Sequence, residues 1–185
     1  MKKSVLVFAF CIVTGLQALN AQSAVYQTRT GEAKFVSEAP KETVVGVSSF
    51  LNGRISLASK EVDFYLDLST IKTGIALRDE HMRENYLEVD KFPFAEFFGT
   101  MTQAFDPNKQ GLQPVEVKGT FTVHGQSQEV TITGTAEVTS EGIEILASWP
   151  IQLSDYQIPI PKVLYYRLSN DMILSLDAMM TGRNL

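Results

Sequence analysis

The residues able to do chemistry gather in one stretch, TGIALRDEHMRENYLEVDKFP at 73–93, where Arg78, Asp79, Glu80 and His81 stand in a row. Acid–base catalysis would need one of them as nucleophile or base, with a partner to orient it. Asp79 and Glu80 beside His81 offer only chain neighbours, which point different ways around a helix. A metal centre would need further ligands, and His124, the only other histidine, is predicted to lie in a hairpin turn. No nucleophile elbow, phosphate loop or dinucleotide fingerprint occurs elsewhere. What remains is a solvated helix whose Arg78 and Asp79 bond its ends to a neighbouring sheet. Asp79 and Arg83 support it as an acid-before-base pair four residues apart, a gain of a few tenths of a kcal/mol.

The elements around this stretch have a period of two. Val115, Val117, Gly119, Phe121 and Val123 alternate with Glu116, Lys118, Thr120 and Thr122, the pattern of a half-buried strand. Val130 to Val138 repeats it, and HGQSQ between the two reads as a hairpin turn. Ile145, Ala147 and Trp149 share one face of a further strand, and Met172, Leu174, Leu176, Ala178 and Met180 one face of the last. Val62, Phe64, Leu66 and Leu68 form another. Tyr26–Thr30, Ala33–Ser37 and Phe94–Met101 add three more. Val45, Val47, Ser49 and Leu51 run into Asn52-Gly53, a strong hairpin signal, with Ile55 and Leu57 beyond it.

Thr73-Gly74 then breaks a strand, and the spacing becomes helical, with Ile75, Met82 and Tyr86 on one face. Phe92-Pro93 ends that segment. An antiparallel sheet of about eight strands must hide its edges, so the expected class is all-β, a barrel or sandwich with one short helix between strands. Small residues at Gly119, Gly134, Ala136, Ala147 and Ala178 on the inward face fit a filled core or an empty lumen. A filled core is the commoner outcome.

The N-terminus reads MKKSVLVFAFCIVTGLQALNAQSA, with two lysines before an apolar run and a small-residue stretch. This predicts a secretory signal peptide over residues 1–21, cleaved after Ala21, followed by one domain over 22–185. Removal takes the only cysteine and two lysines, leaving 14 Lys+Arg against 21 Asp+Glu. Disulfides then hold nothing together, and the core must suffice. The acidic balance argues against nucleic acid, whose phosphates demand clustered cations.

DLSTIKTGIALRDEHM followed by YLEVDKFPFAEF resembles the signature region of the YceI-like family, exported lipocalin-like proteins described as polyisoprenoid-binding. Thr73, Gly74, Arg78, Asp79, His81, Met82, Val89, Lys91, Phe92 and Pro93 fill the motif, and VKGTFTVHGQSQEV is similar to the strand, glycine turn and strand downstream. Two departures stand out. The segment between His81 and Val89 is about one residue short, and the family's Asp-Phe-Gly-Ile appears as Asp155-Tyr156-Gln157-Ile158.

The resemblance implies an antiparallel lipocalin-like barrel of about eight strands whose open apolar lumen holds a long-chain amphiphile of isoprenoid, quinone or fatty-acyl type. No other cofactor is implied. About ten buried carbons would gain roughly 8 kcal/mol, within the ~4 to 15 kcal/mol that association costs. A long chain is therefore needed. Val47, Leu57, Phe64, Leu66, Phe121, Ile132, Trp149, Leu174 and Leu176 are the expected lining, with Arg78, His81, Tyr156, Lys162, Tyr165 and Arg167 at a polar mouth. The expected role is a non-catalytic carrier or store in a bacterial periplasm, with transient contact to a membrane or membrane enzyme. A scaffold barrel for a protein partner, or an enzyme acting on a lipid or quinone, are the alternatives.

Overall fold

A computed structural model describes residues 25–160 and 166–183. The expected signal peptide, Lys162 and Tyr165 lie outside the described residues. Eight strands form one closed antiparallel barrel in chain order. They are β1 (Val25–Ala39), β2 (Glu42–Ser56), β3 (Glu61–Asp67), β4 (Phe94–Gln103), β5 (Gly111–Val123), β6 (Gln126–Val138), β7 (Ile143–Gln152) and β8 (Asp171–Arg183). β8 pairs with β1, so no edge is left open.

Because each strand follows its neighbour, the connections alternate between two ends. Residues 40–41, 68–93, 124–125, 153–160 and 166–170 lie at one end, which includes helix α1 (Ala76–His81) and a π-helical turn, Met82–Tyr86. The short connections 57–60, 104–110 and 139–142 lie at the other.

Two strand boundaries differ from the sequence expectation. Tyr26–Thr30 and Ala33–Ser37 are one strand, β1, whose register shifts between Thr28 and Ala33 mark a bulge against β2. Asn52-Gly53 is no turn either; it lies inside β2, opposite Tyr65 and Phe64 of β3. The glycine serves close approach: a Cβ there would stand 2.2 Å from the Phe64 ring. Phase also slips within β2. Val44, Gly46 and Ser48 are buried, then Leu51, Gly53 and Ile55. Across the slip Phe50 is left 60% exposed, and its N–H donates to Ser48 Oγ at 3.2 Å.

The short-connection end is plugged. Met180, Ala178 and Ala136 are fully buried there, with Ile143 beside them. Phe105 folds in from the β4–β5 connection and packs edge-on against Tyr26, centroids 6.3 Å apart. The buried Gln113 amide secures that connection: its Oε1 accepts from Asp106 N, and its Nε2 donates to the carbonyls of Asp106 and Lys109. Among the small residues, Gly134 and Ala147 border open space, whereas Ala136 and Ala178 let the plug close.

Candidate functional site

Above the plug the barrel encloses a cavity of about 560 Å³. The period of two builds its wall, because each strand turns one apolar set inward. Phe64 and Leu66 of β3, Phe121 of β5, Ile132 of β6, Trp149 of β7, and Leu174 and Leu176 of β8 all line it. The Phe121 ring meets Trp149 edge-on at 5.8 Å and Tyr156 at 5.6 Å.

Three residues expected at the site stand elsewhere. Val47 does not line the cavity: before the β2 slip the inward set is Val44, Gly46 and Ser48, and Val47 pairs with Lys72 instead. Leu57 falls just beyond the end of β2 and packs on the core from the β2–β3 connection. Tyr156, expected at the mouth, is 2% exposed and sits behind Phe121. Burial, with the Asp155 charge adding to it, pushes its phenol up to about 12.

The mouth lies at the end with the long connections, where Arg78, His81, Arg167 and Glu42 border the cavity. Arg78 and Asp79 do not bond each other; Thr73 stands between them. The Thr73 hydroxyl and N–H both donate to Asp79 Oδ1, at 2.6 and 2.8 Å. Arg78 donates from Nε to Thr73 Oγ1 and from Nη2 to the Thr73 carbonyl. Its Nη1 pairs with Glu42 Oε1 at 2.7 Å, tying α1 to the start of β2. Burial raises the Asp79 carboxyl, but the two Thr73 bonds, helped by Lys72 and Arg83, outweigh it and leave the group below the ordinary aspartate range. Arg167 approaches Glu42 Oε2 at 3.8 Å. In the π-helical turn after α1, Met82 and Tyr86 line the cavity; Ile75, expected beside them, precedes the helix and borders the cavity while staying 52% exposed.

Sequence reasoning missed a second network on the far side of the mouth. The buried His124 ring meets the Tyr156 carbonyl from Nδ1 at 3.0 Å and Glu88 Oε2 from Nε2 at 3.1 Å. Both partners only accept, so both bonds are made together only by the doubly protonated ring. Lys91, and then His124, hold the Glu88 carboxyl below its usual range. One side chain thus links the β3–β4, β5–β6 and β7–β8 connections. Glu88, His124 and Gln157 all carry positive φ, 45°, 54° and 54°. For His124, followed by Gly125 at φ 70°, this is the two-residue hairpin geometry that matches strand twist. The HG pair signalled the turn, but nothing local signalled its partners.

The geometry defines an eight-stranded barrel with an apolar interior cavity and a polar rim at one end. The model of the YceI-like domain matches residues 21–180, and the chain belongs to that family. No curated protein sequence matches it. Among solved structures, a polyisoprenoid binding domain from Saccharophagus degradans, implicated in plant cell wall breakdown, is 18% identical with a TM-score of 0.74, over 87% of this chain and 99% of that one. BcnA of Burkholderia cenocepacia is 13% identical with a TM-score of 0.67, over 80% and 94%. The YCEI protein of Campylobacter jejuni is 16% identical with a TM-score of 0.57, over all of both chains. At these identities the likeness carries the fold.

Proposed function

We propose that the protein binds a long-chain amphiphile of isoprenoid, quinone or fatty-acyl type in the barrel lumen, as a non-catalytic carrier or store. The observation that carries this is a cavity of about 560 Å³ whose inward-facing strand residues are apolar, with Glu42, Arg78, His81 and Arg167 gathered at its mouth. A chain gains about 0.8 kcal/mol for each methylene it buries, and the polar group of the ligand remains at the rim. Membership of the YceI-like family supports the reading, as does the polyisoprenoid-binding relative. A non-catalytic role is supported by Asp79 Oδ1 and the two ring nitrogens of His124, which are engaged in bonds that position the rim. The N-terminal MKKSVLVFAF pattern supports a place outside the cytoplasm, in a bacterial periplasm, for a single barrel domain over residues 22–185.

Mass spectrometry of the intact protein purified without detergent, paired with an organic extract, tests this directly. A stoichiometric adduct that reappears as a long-chain lipid is the expected result. A clean apo mass, with no uptake of added polyprenyl, quinone or fatty-acyl lipids, would sink the proposal. Phe64→Trp on β3 and Leu174→Trp on β8 add bulk to the lining and are expected to lower uptake with the fold intact. Unchanged uptake in both would remove these residues from the lining.

A further inference from the structure

Ile75 and Leu77 line the cavity and at the same time face solvent, 52% and 60% exposed. The apolar lining therefore continues outward over the rim at α1. Nearby, Tyr166 is 62% exposed. Its carbonyl accepts the Lys41 N–H at 2.9 Å, and the Lys41 ammonium lies 5.4 Å from its ring centroid. Next along the chain, Arg167 is 68% exposed and reaches Glu42 only at 3.8 Å, on a carboxylate whose other oxygen Arg78 already holds. These contacts join the β1–β2 turn, residues 166–167 and α1 into one rim. Large apolar side chains there are flanked by the exposed cations of Lys41 and Arg167. By contrast, the three connections at the plugged end carry no exposed large apolar side chain among the described residues.

We infer that this rim docks onto the surface of an anionic phospholipid bilayer. Ile75, Leu77 and Tyr166 enter the interfacial layer, and Lys41 and Arg167 meet the lipid phosphates. The inference rests on the lipid-binding reading of the cavity. A chain leaving the lumen through water exposes every methylene it had buried, a penalty that grows with length. A rim in contact with the bilayer removes that step. Tyrosine suits the interface because one end of its ring is apolar and the other wet. Lysine and arginine suit it because their stems lie along apolar surface while their charges stay in water. The chain is acidic as a whole, at −5, so attraction to anionic lipid rests on local cations such as Lys41 and Arg167, and docking is shallow and reversible.

The test is flotation of the purified protein with phosphatidylcholine vesicles, with and without phosphatidylglycerol. It is run beside uptake of a fluorescent fatty-acyl probe in the absence of vesicles. Flotation is expected with phosphatidylglycerol and to weaken in high salt. The double variant Lys41→Glu, Tyr166→Asp, at residues outside the cavity lining, is expected to weaken it roughly tenfold or more, with probe uptake unchanged. Leu112→Asp, at an exposed leucine on the plugged side, is expected to leave flotation unchanged. No flotation with phosphatidylglycerol, equal flotation of the double variant, or equal loss in Leu112→Asp would each overturn the docking face. Flotation without probe uptake would instead overturn the lipid-binding reading of the cavity.

Discussion

The two ends of the barrel are ordered by different physics. At the plugged end Met180, Ala178, Ala136 and Phe105 fill the space, and the buried polar groups are neutral: the Gln113 amide bonds its own connection, and the Ser56 hydroxyl accepts the Ser59 N–H. At the mouth, filling would close the cavity. Order there comes from charged hydrogen bonds around the rim: Arg78, Thr73, Asp79 and Glu42 on one side, His124, Glu88 and the Tyr156 carbonyl on the other. A barrel that must admit a ligand can keep dense packing at one end only. The open end substitutes directional bonds, which hold connections in place without occupying the lumen.

Truncating the plug should show the largest effect. Met180→Ala removes a fully buried side chain and is expected to cost about 2 to 5 kcal/mol of stability in urea denaturation, with little change in ligand uptake. A large loss of uptake with unchanged stability would mean that the plug belongs to the site.

Acid should act on the mouth first. Asp79 and Glu88 are both held below their usual ranges. Their contribution is therefore present above the unfolded carboxylate values and is lost as pH falls through the lower folded ones. Hydrogen exchange between about pH 5 and about pH 3 is expected to rise at residues 73–91 before it rises at 139–143. Asp79→Asn is expected to cost about 1 kcal/mol near neutral pH and to flatten this acid dependence. Loosening of both ends together would break the contrast.

The smallest effect tests the strain stored at the rim. Gln157 occupies the left-handed region at φ 54°, closing the 3-10 turn Leu153–Tyr156. It stands where the YceI-like pattern carries glycine. Gln157→Gly is expected to stabilise by up to about 1 kcal/mol, offset slightly by loss of the exposed Gln157–Gln126 bond. A fall in the melting temperature would show that this bond outweighs the backbone strain.

Alternation along β3, β5, β6, β7 and β8 determined the inward residues by itself, because side chains on a regular strand must change face at every step. The number of those strands demanded a barrel or a sandwich, since an antiparallel sheet with an apolar face cannot leave its edges bare, and the pairing of β8 with β1 chose the barrel. The helical spacing after Thr73-Gly74 placed the segment that carries Arg78, Asp79 and His81. Tertiary structure decided the rest. Whether Gly53 marks a turn or makes room for a ring depends on Phe64, eleven residues away and across the β2–β3 pair. The face of Val47 depends on the β2 slip beside Ser48, and alternation holds only where the ladder is regular. Thr73 meets Arg78 and Asp79 within one connection, whereas Glu42 with Arg78, and His124 with Glu88 and Tyr156, are meetings of chain segments more than thirty residues apart that local pattern does not encode. Barrel closure brings them together, and it also decides which end is filled and which stays open.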